Sequence, residues 1–416
     1  ASPSSLVRFG STVQGVTVAW ALVVAVADAE FDGAVSGLVS SLSVAGATSL
    51  KASASTSGAQ SYTGPVTLGA DSTLTAGGLI SMGSSLDGAF SLILSSSGAI
   101  SVSGALGGLA PLVGLTISNC GGAAFSGNVS LGTLSLANSS GPITIDGTLI
   151  ATVGMSTGAN AFSLALNQGA GGQTSTVAGL TSLLNSGALT IGNDAADSIV
   201  FSGGLSALSQ SANTFQGTVA TGGIAGQDVS LNSLAVGSNA LVLNAGAAAV
   251  ALSGAMTVGA ADASVIAASI SAGGASVAAG RTASLAAGSA AGISIGTASL
   301  AGPNAPGDVA THPLDALPAD NGRLDLGSSN FTIATLTSTG ILRLTGTQAT
   351  HGIANGGASS GIIEYYGAGG TVFSGMIGDS GYDAYHLRLG PDAAGTFGLD
   401  GDVSTAADVA IDGGIL

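Results

Sequence analysis

The densest group of chemically capable side chains in this 416-residue chain is Glu364, Tyr365, Tyr366, Tyr382, Asp383, Tyr385, His386 and Arg388. Two carboxylates near a guanidinium, an imidazole and four phenols can grip a glycan or a partner through ring stacking and hydrogen bonds. Acids beside a basic residue are also what polysaccharide cleavage requires. Ordinary surface accounts for the same residues without either activity. Calcium is the ion the sequence suits best. Asp379 and Asp383 in one Gly-containing turn, and Asp400 and Asp402 in another, place hard oxygen donors where calcium takes them. The Gly/Asp nonapeptide repeat of calcium-loaded coils is absent, however, and single Asp-Gly turns are most often just turns.

Other constellations carry less. Gly292-Ile293-Ser294-Ile295-Gly296 and Gly357-Ala358-Ser359-Ser360-Gly361 match G-x-S-x-G, but a chain this rich in Gly and Ser produces such matches by chance. Neither sits at the strand-to-helix turn that a nucleophile elbow requires. His312, His351 and His386 are far apart and lack metal-ligand spacing. Cys120 is the single cysteine, so no intrachain disulfide exists, and it reads as a small buried side chain.

These groups are few because charge itself is scarce. The chain has 6 Lys+Arg, 22 Asp+Glu and 69 Gly, so 7% of its residues are charged, against about 25% in ordinary soluble domains. A net charge of −16 excludes a nucleic-acid partner, whose phosphates demand a basic face. Of the acids only Glu30 and Glu364 are Glu. Asp favours turns through side-chain to backbone hydrogen bonds, so most of the acids are turn residues first and charges second. Hydrophobic content of 46% excludes intrinsic disorder. The longest apolar run, residues 16–27, is too short to span a bilayer as a helix, so no membrane crossing is expected. With Arg8 before it and Ala27-Asp28-Ala29 after it, that run imitates a signal peptide.

The elements that must position everything else are short strands. Apolar side chains alternate with Ser, Thr or other small residues at Val66-Thr67-Leu68, Ile100-Ser101-Val102, Ile143-Thr144-Ile145, Leu189-Thr190-Ile191, Leu241-Val242-Leu243 and Leu342-Arg343-Leu344. That is the period-two pattern of a half-buried strand, with Gly-containing turns every 8 to 12 residues. A longer echo relates Phe9–Gly15 to Met82–Gly88, Asp32–Leu38 to Ser103–Leu109 and Leu42–Val44 to Leu115–Ile117, at offsets of 73, 71 and 73 residues. It sets residues 16–27 against 89–97 and makes that run a strand region rather than a leader. Short strands, no helical periods and repetition predict an all-β parallel β-helix, or β-solenoid, with about 20 to 25 residues per coil. Tandem β-sandwich modules are the alternative, although aromatics are only 4% and Trp20 alone is available as a core pin.

Three regions follow. Residues 1–301 are repetitive solenoid, including the Ala/Gly/Ser-rich stretch 245–302. Residues 302–322 hold four of the nine prolines and form an excursion or linker. Residues 323–416 form a C-terminal solenoid segment that carries four of the five Tyr and three of the six basic residues. The final residues, 411–416, read as mid-pattern with no polar cap, so the chain is expected to continue or to stack end to end.

At SYTGPVTLGADSTLTA (61–76) and SLDGAFSLILSSSGAISVSGALGG (85–108) the chain resembles the large bacterial exoproteins of filamentous-haemagglutinin and autotransporter-adhesin type. ALTIGNDAADSIVFSGGL (188–205) and GIIEYYGAGGTVFSG (361–375) look like later segments of the same kind. The resemblance implies a right-handed β-helix, secretion, a place at the bacterial cell surface, and no shared catalytic residues. No secretion domain or membrane barrel is recognisable beside it. The expectation is a non-enzymatic, extracellular structural protein that assembles with copies of itself into a fibre, sheath or coat. An adhesin that binds surface glycans or neighbouring cells through 323–416 is the second reading, and a β-helical polysaccharide lyase the third.

Overall fold

The computed structural model describes residues 5–302, 321–356, 361–373, 386–400 and 408–411. Every regular element among them is a β-strand, and no helix is long and apolar enough to cross a membrane. The chain divides into two compact units, Ala1–Ala212 and Asn213–Leu416, each a stack of coils.

In the first unit one coil is three short strands. Gln60–Tyr62, Val66–Leu68 and Ser72–Ala76 make one coil, and Ile80–Met82, Leu86–Asp87 and Ser91–Ser96 the next. Each strand pairs in parallel with its counterpart one coil away: Ile80 lies opposite Gln60 and Ile100, Leu86 opposite Val66, and Leu94 opposite Leu74 and Ile117. From Leu42 opposite Gln60 to Met155 opposite Thr181, paired residues lie 18 to 26 apart in sequence. This is a β-solenoid. Sandwich modules of the immunoglobulin kind are antiparallel, so that alternative falls.

The alternation works as the pattern predicts. In Ile80–Met82 the end residues are buried and Ser81 faces out, and the same holds in Ile100–Val102 and Ile143–Ile145. Ile80, Ile100 and Ile143 therefore join one inward file with Ala123 between them. Each fully buried Leu or Ile contributes about 1.5–3 kcal/mol. The core is built mainly of Leu, Ile and Val, with Ala at some positions and a few fully buried aromatics such as Tyr62, Phe125 and Phe201. In the Ala/Gly/Ser-rich stretch Val250, Val258, Val265, Ile270 and Val277 are buried, whereas Ile266 points outward and is 41% exposed.

The 73-residue echo is not the structural repeat. Leu42–Val44 pairs with Gln60–Tyr62 and continues to Ile80–Met82 and Ile100–Val102, whereas Leu115–Ile117 stacks between Leu92–Leu94 and Leu134–Leu136 on another face. Every face uses the same apolar-small-apolar code, so likeness of sequence does not tell one face from the next. Residues 16–27 overlap the strand Val13–Val24, which pairs with Val35–Val44. Trp20 there is only half-buried and pins no core.

Aspartates and asparagines lock coil to coil. Asp28 Oδ1 accepts the Ala47 N–H at 2.8 Å, Asp71 Oδ1 that of Ser91 at 2.8 Å, Asp87 Oδ1 that of Leu109 at 2.7 Å and Asn128 Oδ1 that of Thr148 at 3.0 Å. In the second unit Asp228 takes Ala249 and Asp262 takes Thr282 in the same way. Each such residue satisfies a backbone donor at a corner, where the ladder has no partner for it.

The second unit has longer, bent strands. Ala249–Val258, Ser269–Val277, Ile293–Leu300 and Phe331–Ser338 stack in turn. Residues 303–320 lie outside the described residues. The strands on either side of them stack directly, Thr282 opposite Arg323 and Ile293 opposite Phe331, within one compact unit.

One corner of the first unit is a file of glycines. A Cβ on Gly64 would lie 2.4 Å from Gly46 O, one on Gly127 2.4 Å from Gly104 O, and one on Gly147 2.6 Å from Gly127 O. Here coil spacing is tight, and Ser84 is the one residue with a side chain between Gly64 and Gly147 in the file. Gly127→Ala is expected to cost about 1–3 kcal/mol by forcing coils apart. Gly259→Ala, with nothing within 4 Å, should stay within about 0.5 kcal/mol of wild type. Guanidinium unfolding followed by circular dichroism compares the two midpoints.

Candidate functional site

The strands Arg323–Asp325, Ile341–Leu344, Ile362–Gly367, His386–Ala393 and Asp408–Ile411 stack in parallel near the C-terminal end of the second unit. Their register puts Asp325 opposite Arg343, Arg343 opposite Glu364, and Glu364 opposite Arg388. Strands in a sheet lie about 4.8 Å apart, so four charges of alternating sign stand in one file. Like charges at that spacing would repel, and alternation turns the ladder's geometry into attraction.

Arg343 is the hub. Its Nε donates to Glu364 Oε1 at 2.6 Å, Nη1 to Asp325 Oδ2 at 3.2 Å and Nη2 to Asp392 Oδ2 at 3.1 Å. Its guanidinium also lies 4.3 Å from the centre of the Tyr366 ring. Tyr366 donates its hydroxyl to Asp325 Oδ1 at 2.8 Å. Arg388 Nη1 reaches Glu364 Oε2 at 3.4 Å. The side chains of Arg343 and Glu364 are 16% and 7% exposed, while Asp392 at 70% forms the wet rim. Burial works against the Arg343 charge, but the Glu364 and Asp325 carboxylates outweigh it and hold its pKa above the ordinary value. Burial first, then the bond to Asp325, raises the Tyr366 phenol well above its usual range.

The sequence candidates are divided by this arrangement. Glu364 and Arg388 stand in the file and Tyr366 leans against it. Tyr365 does not belong to a binding surface. Strand alternation turns it inward, where it is fully buried, its hydroxyl accepts the Phe373 N–H at 3.1 Å, and Phe373 and Phe397 pack edge-on to its ring. His386 occupies the register position of Ile362. Tyr382, Asp383 and Tyr385 lie outside the described residues, as do Asp379 and Asp402 of the calcium set. Asp400 follows the strand Phe397–Leu399 and is exposed, and its charge acts on His351 and Tyr365. Among the described residues no three His, Cys, Asp or Glu side chains gather as metal ligands.

Of the remaining motifs, Ser294 of the first G-x-S-x-G match lies within the strand Ile293–Leu300 and faces outward, with no nucleophile elbow around it. Ser359 of the second lies outside the described residues, as does His312. His351 stacks on Phe373 with ring centres 3.5 Å apart, and burial lowers its pKa against the opposing pull of Asp400. Cys120 is buried and donates to Ser139 Oγ at 3.1 Å, so it serves as a hydroxyl-like member of a corner.

Sequence reasoning missed Asp325, Arg343 and Asp392. The signal was present: Asp325, Arg343, Glu364 and Arg388 are spaced by 18, 21 and 24 residues, one coil each. The first unit holds a second charge ladder found the same way. Arg8 lies opposite Glu30 and bonds Asp32 at 2.6 Å, and Lys51 bonds both Glu30 and Asp32. The bonds from Lys51 and Arg8 pull the Asp32 carboxyl down to about 2. Any stability this pair of contacts adds is present above the ordinary carboxyl pKa and is lost as pH falls towards 2.

No protein-family description, curated protein or solved structure matches this chain.

Chemically, the Arg343 ladder is a set in which each carboxylate meets a guanidinium and the hub has all three nitrogens engaged. Among the described residues, removing the hub leaves the largely buried Glu364 with only Arg388 and Asp325 with only the Tyr366 hydroxyl, so Arg343→Ala is expected to cost about 3 kcal/mol, read as a lower denaturant midpoint. The phenol gives a pH signature. The folded state holds the Tyr366 proton more tightly than the unfolded chain does, so stability is full below pH 10 and falls as pH rises beyond it. Between pH 9 and 11.5 the unfolding midpoint of wild type should drop more steeply than that of Tyr366→Phe.

Proposed function

We propose that this chain is a non-enzymatic structural protein of the bacterial exterior whose solenoid coils assemble with other copies into a fibre, sheath or coat. The observation that carries the reading is the closure of the charge ladders. Arg343 spends its hydrogen bonds on Asp325, Glu364 and Asp392, and that pattern stiffens a stack. Outward files of small hydroxyls also support it. Ser61, Ser81 and Ser101 stand above one another on one face, as do Ser135, Ser156 and Ser182 on another. Such surfaces carry little charge to keep neighbours apart or to hold a specific small ligand. The likeness of 61–76 and 85–108 to secreted repeat exoproteins points the same way.

One feature favours the second reading, an adhesin. Tyr366 and the exposed Asp392 form a half-open rim of ring and carboxylate around Arg343, which is the chemistry of glycan contact. A glycan-array signal from the full chain that is lost in Asp392→Asn would favour adhesion. The primary reading is checked by negative-stain electron microscopy of the full chain at rising concentration. Filaments or sheets are expected, and separate particles at every concentration would remove it. Their persistence in chelator would also dispose of calcium as a requirement.

A further inference from the structure

The second unit carries an outer corner built from four stacked strands. The strands Ala249–Val258, Ser269–Val277, Ile293–Leu300 and Phe331–Ser338 each bend there, at Gly254, Gly273, Gly296 and Ala334. Close stacking fixes all three of these glycines: a Cβ on Gly254 would lie 2.5 Å from Asn232 O. A Cβ on Gly273 would lie 2.6 Å from Ser253 O, and one on Gly296 2.4 Å from Gly273 O. The missing side chains leave two hollows on the strand Ile293–Leu300. One, of about 400 Å³, lies between Ser294, Thr332 and Gly352. The other, of about 380 Å³, lies between Ser253, Gly273 and Thr297. Ser276 and Ser299 form one wall of the second hollow and, with Thr337 above them in register, an exposed ridge along its edge.

We propose that this corner is the surface through which a second copy of the chain packs side by side, an inference that rests on the assembly reading above. Each copy seats its Ser276–Ser299–Thr337 ridge in the hollow between Ser253, Gly273 and Thr297 of the other. A ridge beside a groove on one surface is self-complementary about a two-fold axis, so the contact closes on itself as a pair.

Three features select this occupant. The first is charge. The chain carries −16, yet no residue lining either hollow is charged or aromatic. Two copies meet here without repulsion, while an anion, a metal or a stacked sugar ring finds nothing to hold it. The second is period. The walls repeat once per coil, at about 4.8 Å. A surface that fills successive hollows without drifting out of step must have the same repeat, and another such stack has it. Small side chains interdigitating between equal ladders form the dry, close contact seen where sheets pair face to face. The third is area. Four coils by about nine residues, counting both limbs of the bend, offer at most roughly 1,100 Å² in total, close to the lower limit of about 1,000 Å² for a specific interface.

Thr297 and Ser299 face outward and are exposed, so charges placed there leave the core intact. The test uses the full chain with Thr297→Glu and Ser299→Glu together, and separately with Thr297→Lys and Ser299→Lys. Sedimentation velocity over a hundredfold range of concentration gives the onset of association. Each variant alone is expected to raise that onset at least tenfold, and an equal mixture of the two to bring it back near wild type. Ser276→Lys provides an independent version should a double variant unfold more easily than wild type. Association of either double variant at the wild-type concentration would overturn the proposal while leaving assembly standing. A wild-type chain that stays monomeric throughout would remove the assembly reading and this interface with it. Wild-type monomers that bind soluble cello- or chito-oligosaccharides, with binding lost in the Glu variant, would assign the corner to a glycan instead.

Discussion

The parallel in-register backbone ladder is the constraint from which the rest of this molecule follows. Each residue in a coil has a counterpart about 4.8 Å above and below, so no side chain can be chosen alone. An apolar residue facing inward gains a neighbour on both sides, as along Ile80, Ile100 and Ala123. A residue at a corner where coils touch is held to Gly or a small side chain, as at Gly127 and Ser84. A buried polar group must find its partners along the file. Asn185 shows how: Thr157 donates to its Oδ1 at 3.0 Å, its own Nδ2 donates to Phe162 O at 2.9 Å, and Gln210 donates to its backbone carbonyl at 2.9 Å.

Charge obeys the same rule more severely. A guanidinium repeated at coil spacing would repel itself, so Arg343 stands between Asp325 and Glu364, and Glu364 between two arginines. The low charge of the whole chain follows from this geometry. Most outward positions have uncharged counterparts and are filled by Ser, Thr or Ala, and charge is admitted at corners, where Asp accepts a backbone N–H, or where a short alternating ladder can contain it. What remains is a weakly polar, strictly periodic surface, suited to other surfaces of equal period. The functional proposals both grow from that match.

Much of the fold was legible because strand alternation is local. The strands Val66–Leu68, Ile100–Val102, Ile143–Ile145 and Leu189–Ile191 fall where the period-two pattern sets them. The face each strand joins was not legible. Leu42–Val44 and Leu115–Ile117 share a code but lie on different faces, because burial selects apolar residues identically on all of them. The site was half legible for a related reason. Composition drew attention to Glu364, Tyr366 and Arg388, but neighbours within a strand, such as Tyr365, point the opposite way, while partners lie a coil apart. Arg343 and Asp325 became visible only once the coil length was known. The Asp turns split likewise: their turn role is visible in Asp28 and Asp71, but the donors they receive come from the next coil.

The central claim, that coils advance by one strand spacing in a fixed register, is tested most directly by distances between nitroxide labels along one outward file of the first unit. Ser61, Ser101, Thr144 and Thr190 stand in that file at the first, third, fifth and seventh levels. With Cys120→Ser as background, pulsed electron paramagnetic resonance should give separations that grow linearly with level. Ser101 to Thr190 should span about 19 Å and Ser61 to Thr190 about 29 Å between backbone positions. Separations that fail to grow with coil number would contradict the stack itself, and with it the ladders and surfaces derived from it.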